Sequence, residues 1–174
     1  MITKRVLTVV VGTAVAASVC AVLPDAAAGQ PAAARCHASQ LVGKVRQASG
    51  AAGTIALSIS FRNVSPRACA VEGFPRLRLR QAGHALPTSV RHGGLAFLER
   101  PAHRVTVQPG KVATLLVAYS DVPVGSETHC RMADALVVHL DAGSGRVRVP
   151  AEIGACGHGR LYESPFLAGR VDVA

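Results

Sequence analysis

The feature that most constrains this chain is a two-residue alternation of apolar and polar side chains. In "TIALSISFR", residues 54–62, Ile55, Leu57, Ile59 and Phe61 alternate with smaller or polar neighbours. "RLRLR" at 76–80, "RVTV" at 104–107 and "RVRV" at 146–149 do the same. Successive side chains of an extended strand point to opposite faces, so this pattern describes strands with one face in a core and one in water. "KVATLLVAY", 111–119, and "ALVVHL", 135–140, are apolar on nearly both faces, as central strands are. Gly, Pro, Asn and Ser separate the runs, in "NVSPRA", "QPGK" and "DAGSG". No segment sustains a helical period. The expected fold is all-β, an immunoglobulin-like antiparallel β-sandwich. "SVRHGGLAFLERPAH", 89–103, has no such pattern and reads as a long loop. Aromatic residues make up only 3% of the chain and Trp is absent, so the core must be built from Val, Leu, Ile and Ala.

The N-terminus reads differently. Lys4 and Arg5 precede an uncharged apolar run over 6–23, Pro24 breaks it, and "AAAG" at 26–29 offers small residues for cleavage. This is the layout of a secretory signal peptide over 1–28, followed by a short disordered lead over 29–35 and the β-sandwich domain over 36–174. Cleavage is expected after Ala28, with Ala34 as the alternative; an uncleaved membrane anchor is the rival reading. Cys20 lies in "ASVC", a degenerate lipobox with Val19 where a small residue is usual, and is expected to leave with the signal peptide. Cleavage removes Lys4, Arg5 and Asp25 from the 19 basic and 10 acidic residues, leaving 17 and 9, a net charge of +8. The expected location is secreted or associated with the cell envelope.

Four cysteines then remain: Cys36, Cys69, Cys130 and Cys156. An even number in an exported chain implies two disulfides. The turns suggest the pairing. A hairpin centred near Gly143 places Cys130 and Cys156 equally far from its turn, and a first hairpin turning near Gly50 brings Cys36 towards the segment holding Cys69. Cys36–Cys69 and Cys130–Cys156 are therefore preferred among the three possible connectivities. Each would close a loop worth roughly 3–4 kcal/mol of chain entropy.

"NVSPRACAVEGFPRLRLRQAG", 63–83, resembles the signature of a secreted actinobacterial domain-of-unknown-function family, number 4232. Asn63, Cys69, Gly73, Phe74 and Pro75 carry the likeness. "VTVQPGKVA" at 105–113, "CRMADALVV" at 130–138, "CG" at 156–157 and "SPF" at 164–166 extend it over about 36–170. The resemblance implies a secreted or envelope-attached β-sandwich and no established activity.

The chain offers little for catalysis. It has no G-x-S-x-G elbow and no phosphate-binding loop, and "HGG" at 92–94 stands without a nucleophile, so a hydrolase is a distant alternative. The acidic residues are scattered singly. No cofactor is implied. Three cysteines have a histidine close by, at His37, His129 and His158. If the second disulfide forms, His129 and His158 flank it, and two imidazoles there make an extracytoplasmic copper or zinc site the main alternative, with His37 a weaker third. "NVS" at 63–65 matches a glycosylation sequon but reads as turn chemistry.

The arginines are the remaining signal. Arg76, Arg78 and Arg80 project from one face of a strand, and Arg146 and Arg148 repeat the arrangement. Sixteen of the 19 basic residues are Arg, so part of this is simply the chain's preferred polar residue on a wet face. Nucleic acid is a poor partner, because no aromatics interleave to stack bases. The expected function is a non-catalytic envelope or extracellular binding module. It is expected to be monomeric, its partner an unidentified envelope component, with adhesion to an anionic wall polymer or lipid as the role of these arginines. N-terminal sequencing of exported material should give Gly29 as the first residue; a lipidated Cys20 in that position would overturn the processing scheme.

Overall fold

The computed structural model describes residues 32–140 and 144–173. The expected leader, its cleavage site, Cys20 and the turn centre at Gly143 lie outside the described residues. Strands are numbered in chain order: β1 (Leu41–Ala51), β2 (Thr54–Asn63), β3 (Cys69–Glu72), β4 (Arg76–Gln81), β5 (His84–Ala85), β6 (Ser89–His92), β7 (Arg104–Val107), β8 (Val112–Ser120), β9 (Met132–His139), β10 (Arg146–Gly154), β11 (Arg160–Glu163) and β12 (Leu167–Ala168). The larger sheet runs β1-β2-β8-β11-β6, with β12 also on β8; the second runs β10-β9-β4-β5; β3 and β7 form a ribbon. The fold is mostly β, built from antiparallel sheets.

The alternation seen in the sequence is used as expected. Leu57, Ile59 and Phe61 of β2 and Leu115 and Val117 of β8 meet Leu77 and Leu79 of β4, Leu136 and Val138 of β9, and Val147 and Val149 of β10 in one core. Phe61 packs edge-on against Phe166, ring centroids 5.5 Å apart, one of the few aromatic contacts. Gly43 lets β1 approach β10 closely: a Cβ there would lie 2.6 Å from Val149 Cγ2. A smaller cluster covers part of the other face of β2 and β8. Ala56, Leu116 and Ala118 lie under Leu98 from the 93–103 loop and under Leu167 and Val173 from the C-terminal segment. Two cores explain why β8 is apolar on both faces.

Both disulfides form as expected, Cys36–Cys69 and Cys130–Cys156. The reason for the second lies in register. β9 and β10 pair from Arg146 with His139 to Gly154 with Met132, and at that open end Cys130 lies two residues before β9 and Cys156 two residues after β10. The first hairpin turns at Ala52 and Gly53, both left-handed, rather than at Gly50, which pairs with Ile55. Asn63 is fully buried and fully bonded. Its amide donates to the carbonyls of Arg67 and Val107, and its oxygen accepts from the Ser65 amide and hydroxyl. The sequon is therefore a turn.

Three expectations are corrected. Residues 89–92 form β6, which pairs parallel to β11 rather than belonging to a loop, so the architecture is not purely antiparallel. "SVRH" holds one apolar residue, Val90, so no alternation shows. The end of the supposed disordered lead is tied down: Arg35 bridges to Ala70, and the Ala70 amide donates to Ala34 O at 2.8 Å, beside the Cys36 disulfide. Arg80 is half-buried, because its guanidinium donates to the carbonyl of Gly83. Among the described residues no helix is long and apolar enough to cross a membrane.

Leu77 and Leu79 are each 1% exposed, whereas Arg76 and Arg78 are exposed. Leu79→Ala should therefore cost about 2–5 kcal/mol in denaturant unfolding, through lost burial and a cavity. Arg78→Glu should change stability by no more than about 0.5 kcal/mol in the same assay.

Candidate functional site

Strand β9 brings the two arginine stretches together. Arg76 on β4 and Arg146 on β10 both sit opposite His139, and Arg78 and Arg148 both sit opposite Val137. Directly paired residues of neighbouring strands point to the same face, so these rows cross the outer face of the sheet. Arg80 adds a third row opposite Ala135. Val137 and Ala135 lie on this solvent-side face yet are only 6% and 0% exposed. The aliphatic stems of the flanking arginines offer them cover while the guanidinium groups reach water. The field of the cluster acts on His139. Burial first, then Arg76, Arg146, Arg78 and Arg80, hold its imidazole below the usual range. One acid intrudes: Asp134 pairs with Arg148 at 2.8 Å and accepts from the Ala82 amide.

The histidines read from sequence as metal candidates also converge. His129 and His158 line a pocket of about 300 Å³ beside the second disulfide, floored by Leu79, Leu86 and Ala155. Its wall depends on a tight backbone crossing. Gly159 has φ +76, and a Cβ there would fall 2.0 Å from the carbonyl oxygen of Pro87. Glu127, which the sequence reading missed, lines the same pocket, its Oε1 3.5 Å from His158 Nδ1. Its carboxylate accepts from the amides of His158 (2.7 Å), Gly157 (2.8 Å) and Val124 (3.2 Å), and these bonds hold it below the usual carboxylate range. It is thus occupied as an anchor for the left-handed turn at Gly157 and His158. Among the described residues no group of three or more His, Cys, Asp or Glu is arranged to hold a metal ion. His37 lies elsewhere, capping the short turn at Ala38–Gln40.

The residues that carried the family likeness meet in space. The Phe166 amide donates to Gly73 O at 2.9 Å, joining "GFP" to "SPF". The Ser164 hydroxyl donates to Pro165 O and accepts from the Leu116 amide. The model of a family described as "Domain of unknown function (DUF4232)" matches residues 36–166. The chain belongs to this family. No curated protein and no solved structure matches it.

At the centre of this DUF4232 junction lies Glu163, which nothing in the sequence singled out. It is wholly buried, and among the described residues neither carboxylate oxygen has a hydrogen-bond partner. His92 Nδ1 stands 3.0 Å from Oε1, at ion-pair distance but without hydrogen-bond alignment. The His92 ring is held against Phe74, centroids 4.2 Å apart. Register accounts for the encounter, since Glu163 pairs with His92 on β6 and with Val117 on β8. Burial pushes the carboxyl up to about 8. The group is therefore protonated at neutral pH in the folded chain but ionised once unfolded.

A carboxyl raised from an ordinary 4.5 to about 8 adds stability that is complete below 4.5 and is lost as pH rises towards 8. Unfolding free energy should fall across that window by at most about 1.4 kcal/mol per pH unit. Denaturant titrations at several pH values check this. Glu163→Gln, which cannot ionise, should flatten the profile.

Proposed function

We propose that this DUF4232 chain is an exported, non-catalytic module with an immunoglobulin-like β-sandwich, which adheres through its arginine face to anionic polymer or lipid of the cell envelope. The observation that carries the reading is the assembly of Arg76, Arg78, Arg80, Arg146 and Arg148 on one face around β9. Strands distant in sequence place like charges side by side, and Asp134 is the single acid paired within the cluster among the described residues. Such a surface draws polyanions by long-range attraction that added salt screens. Planar guanidinium groups also suit phosphate and carboxylate oxygens. Export is supported by the apolar leader over 6–23 and by two disulfides, which persist in oxidising compartments.

The copper or zinc reading rests on His129 and His158 lining one pocket. It is the weaker of the two, because the nearby Glu127 carboxylate is already engaged by three backbone amides. A metal would have to be held by two imidazoles on mobile-length side chains with no third fixed ligand.

The test is retention on isolated envelope material and on anionic vesicles. The variant with Arg76, Arg78 and Arg80 all changed to Glu should elute at clearly lower salt than the parent. Equal elution of the two would leave the face as ordinary wet surface and end the adhesion reading.

A further inference from the structure

The larger sheet carries a second basic surface on its own outer face. The inner faces of both sheets meet in the main core, so this surface looks away from the arginine face. The 93–103 loop and the C-terminal segment cover only part of it. The C-terminal segment crosses as a strap. The Ser58 hydroxyl donates to Val171 O, the Thr114 hydroxyl to Gly169 O, and Gln47 exchanges two bonds with Val173. Between the strap and strand β1 runs a groove of about 260 Å³, continuous with a smaller hollow of about 150 Å³ through the shared residues Arg46, Ser60 and Arg170.

Its walls are cationic. Lys44 and Arg46 come from β1, Arg62 from β2 and Arg170 from the strap. Local structure aims one of them. The β1–β2 register shifts between Val45 and Gln47, leaving Arg46 as the extra residue of a bulge, and it lines the groove together with Lys44. The floor is small and neutral: Ser58 and Ser60 spend their hydroxyl protons on the backbone carbonyls of Val171 and Lys44. Among the described residues Asp172 is the one acid lining it. Among the described residues none of the four cations is in a salt bridge. The arginine face differs, since Arg148 there is paired with Asp134 and both Arg78 and Arg80 donate to carbonyls. At one end Val42 and Val64 stand 44% and 55% exposed.

We infer that this groove, bounded by Lys44, Arg46, Arg62 and Arg170, is a binding site for a phosphoryl group. Cations approach it from three separate segments. A tetrahedral phosphoryl group presents oxygens in several directions and can accept from all of them, whereas a planar carboxylate is satisfied by one guanidinium fork. The site is independent of the arginine face and stands or falls separately from it. The phosphoryl group can belong to a soluble or wall-borne oligophosphate or to a lipid headgroup, the exposed valines lying where acyl carbons would emerge.

The probe is sodium tripolyphosphate, titrated calorimetrically into the full chain at low ionic strength. The parent should bind it, Arg46→Glu/Arg170→Glu should weaken binding at least about tenfold, and the triple Arg76, Arg78, Arg80 to Glu variant should stay within about twofold of the parent. Both substituted residues are exposed, and Arg46→Gln/Arg170→Gln supplies a milder pair should the charge reversal unfold the protein. Citrate binding as tightly as tripolyphosphate would overturn the phosphoryl assignment. So would tripolyphosphate binding that both groove variants leave intact, or no binding at all. Sedimentation with phosphatidylglycerol vesicles, abolished by the groove variant, would support a lipid headgroup as the source. Tripolyphosphate binding without vesicle binding would support an oligophosphate.

Discussion

Everything in this fold leans on strand β8. From Ala113 to Tyr119 it is buried without interruption, because it has a core on each side. Leu115 and Val117 face the main core, while Leu116 and Ala118 face the smaller one under the 93–103 loop and the strap. It pairs with β2 along one edge and with β11 and β12 along the other. Burial on both faces is what allows a chain this poor in aromatics to hold together: small aliphatic side chains are used twice over, in two layers. The same strand fixes β11, and through it the position of Glu163 against His92.

Against that apolar frame the charges are distributed unevenly. Like charges brought side by side repel, and among the described residues each basic surface is offset by a single acid, Asp134 on the arginine face and Asp172 along the groove. Their cost is borne by the packing beneath and by two covalent crosslinks. The strands that carry the core on one face, β1, β2, β4 and β10, carry these basic residues on the other, while Glu163 of β11 is itself buried with its carboxylate oxygens unpartnered among the described residues. Asn63 shows the opposite solution, a buried amide with every bonding position filled.

β4, β7 and β10 show a period of two because water lies on one side of them, β2 because large side chains on its inner face alternate with the small Ala56, Ser58 and Ser60, and β8 and β9 read as apolar runs because both of their faces are covered. β6, β11 and β12 were not legible: β6 holds a single apolar residue, β12 only two residues, and the buried face of β11 carries the ionisable Glu163. Glu163 was invisible for a related reason: a charged residue in a short strand reads as facing outward, and only its place two residues after the buried Leu161, opposite Val117 of β8, turns it inward. The arginines were readable as two separate stretches, but their convergence depends on β9 lying between them, which is tertiary information. The groove was hidden twice over. Lys44 and Arg46 read only as polar positions beside a bulge in β1, and Arg170 arrives from a segment with no pattern of its own. The disulfide pairing was readable because both bridges close hairpins, where sequence distance from the turn measures distance along the sheet.

That last property has a kinetic side. The loops closed by Cys36–Cys69 and Cys130–Cys156 are consecutive along the chain, neither nested nor interlocked. Each thiol finds its partner through a local hairpin, so neither oxidation has to wait for the other. The pairing of β2 with β8, by contrast, joins segments far apart in sequence, the kind of contact whose loop-closure entropy slows its formation. A chain emerging into an oxidising compartment can lock both ends before its centre has formed. Mispaired cysteines, which would have to bridge those two halves, are disfavoured by the order in which the contacts become available.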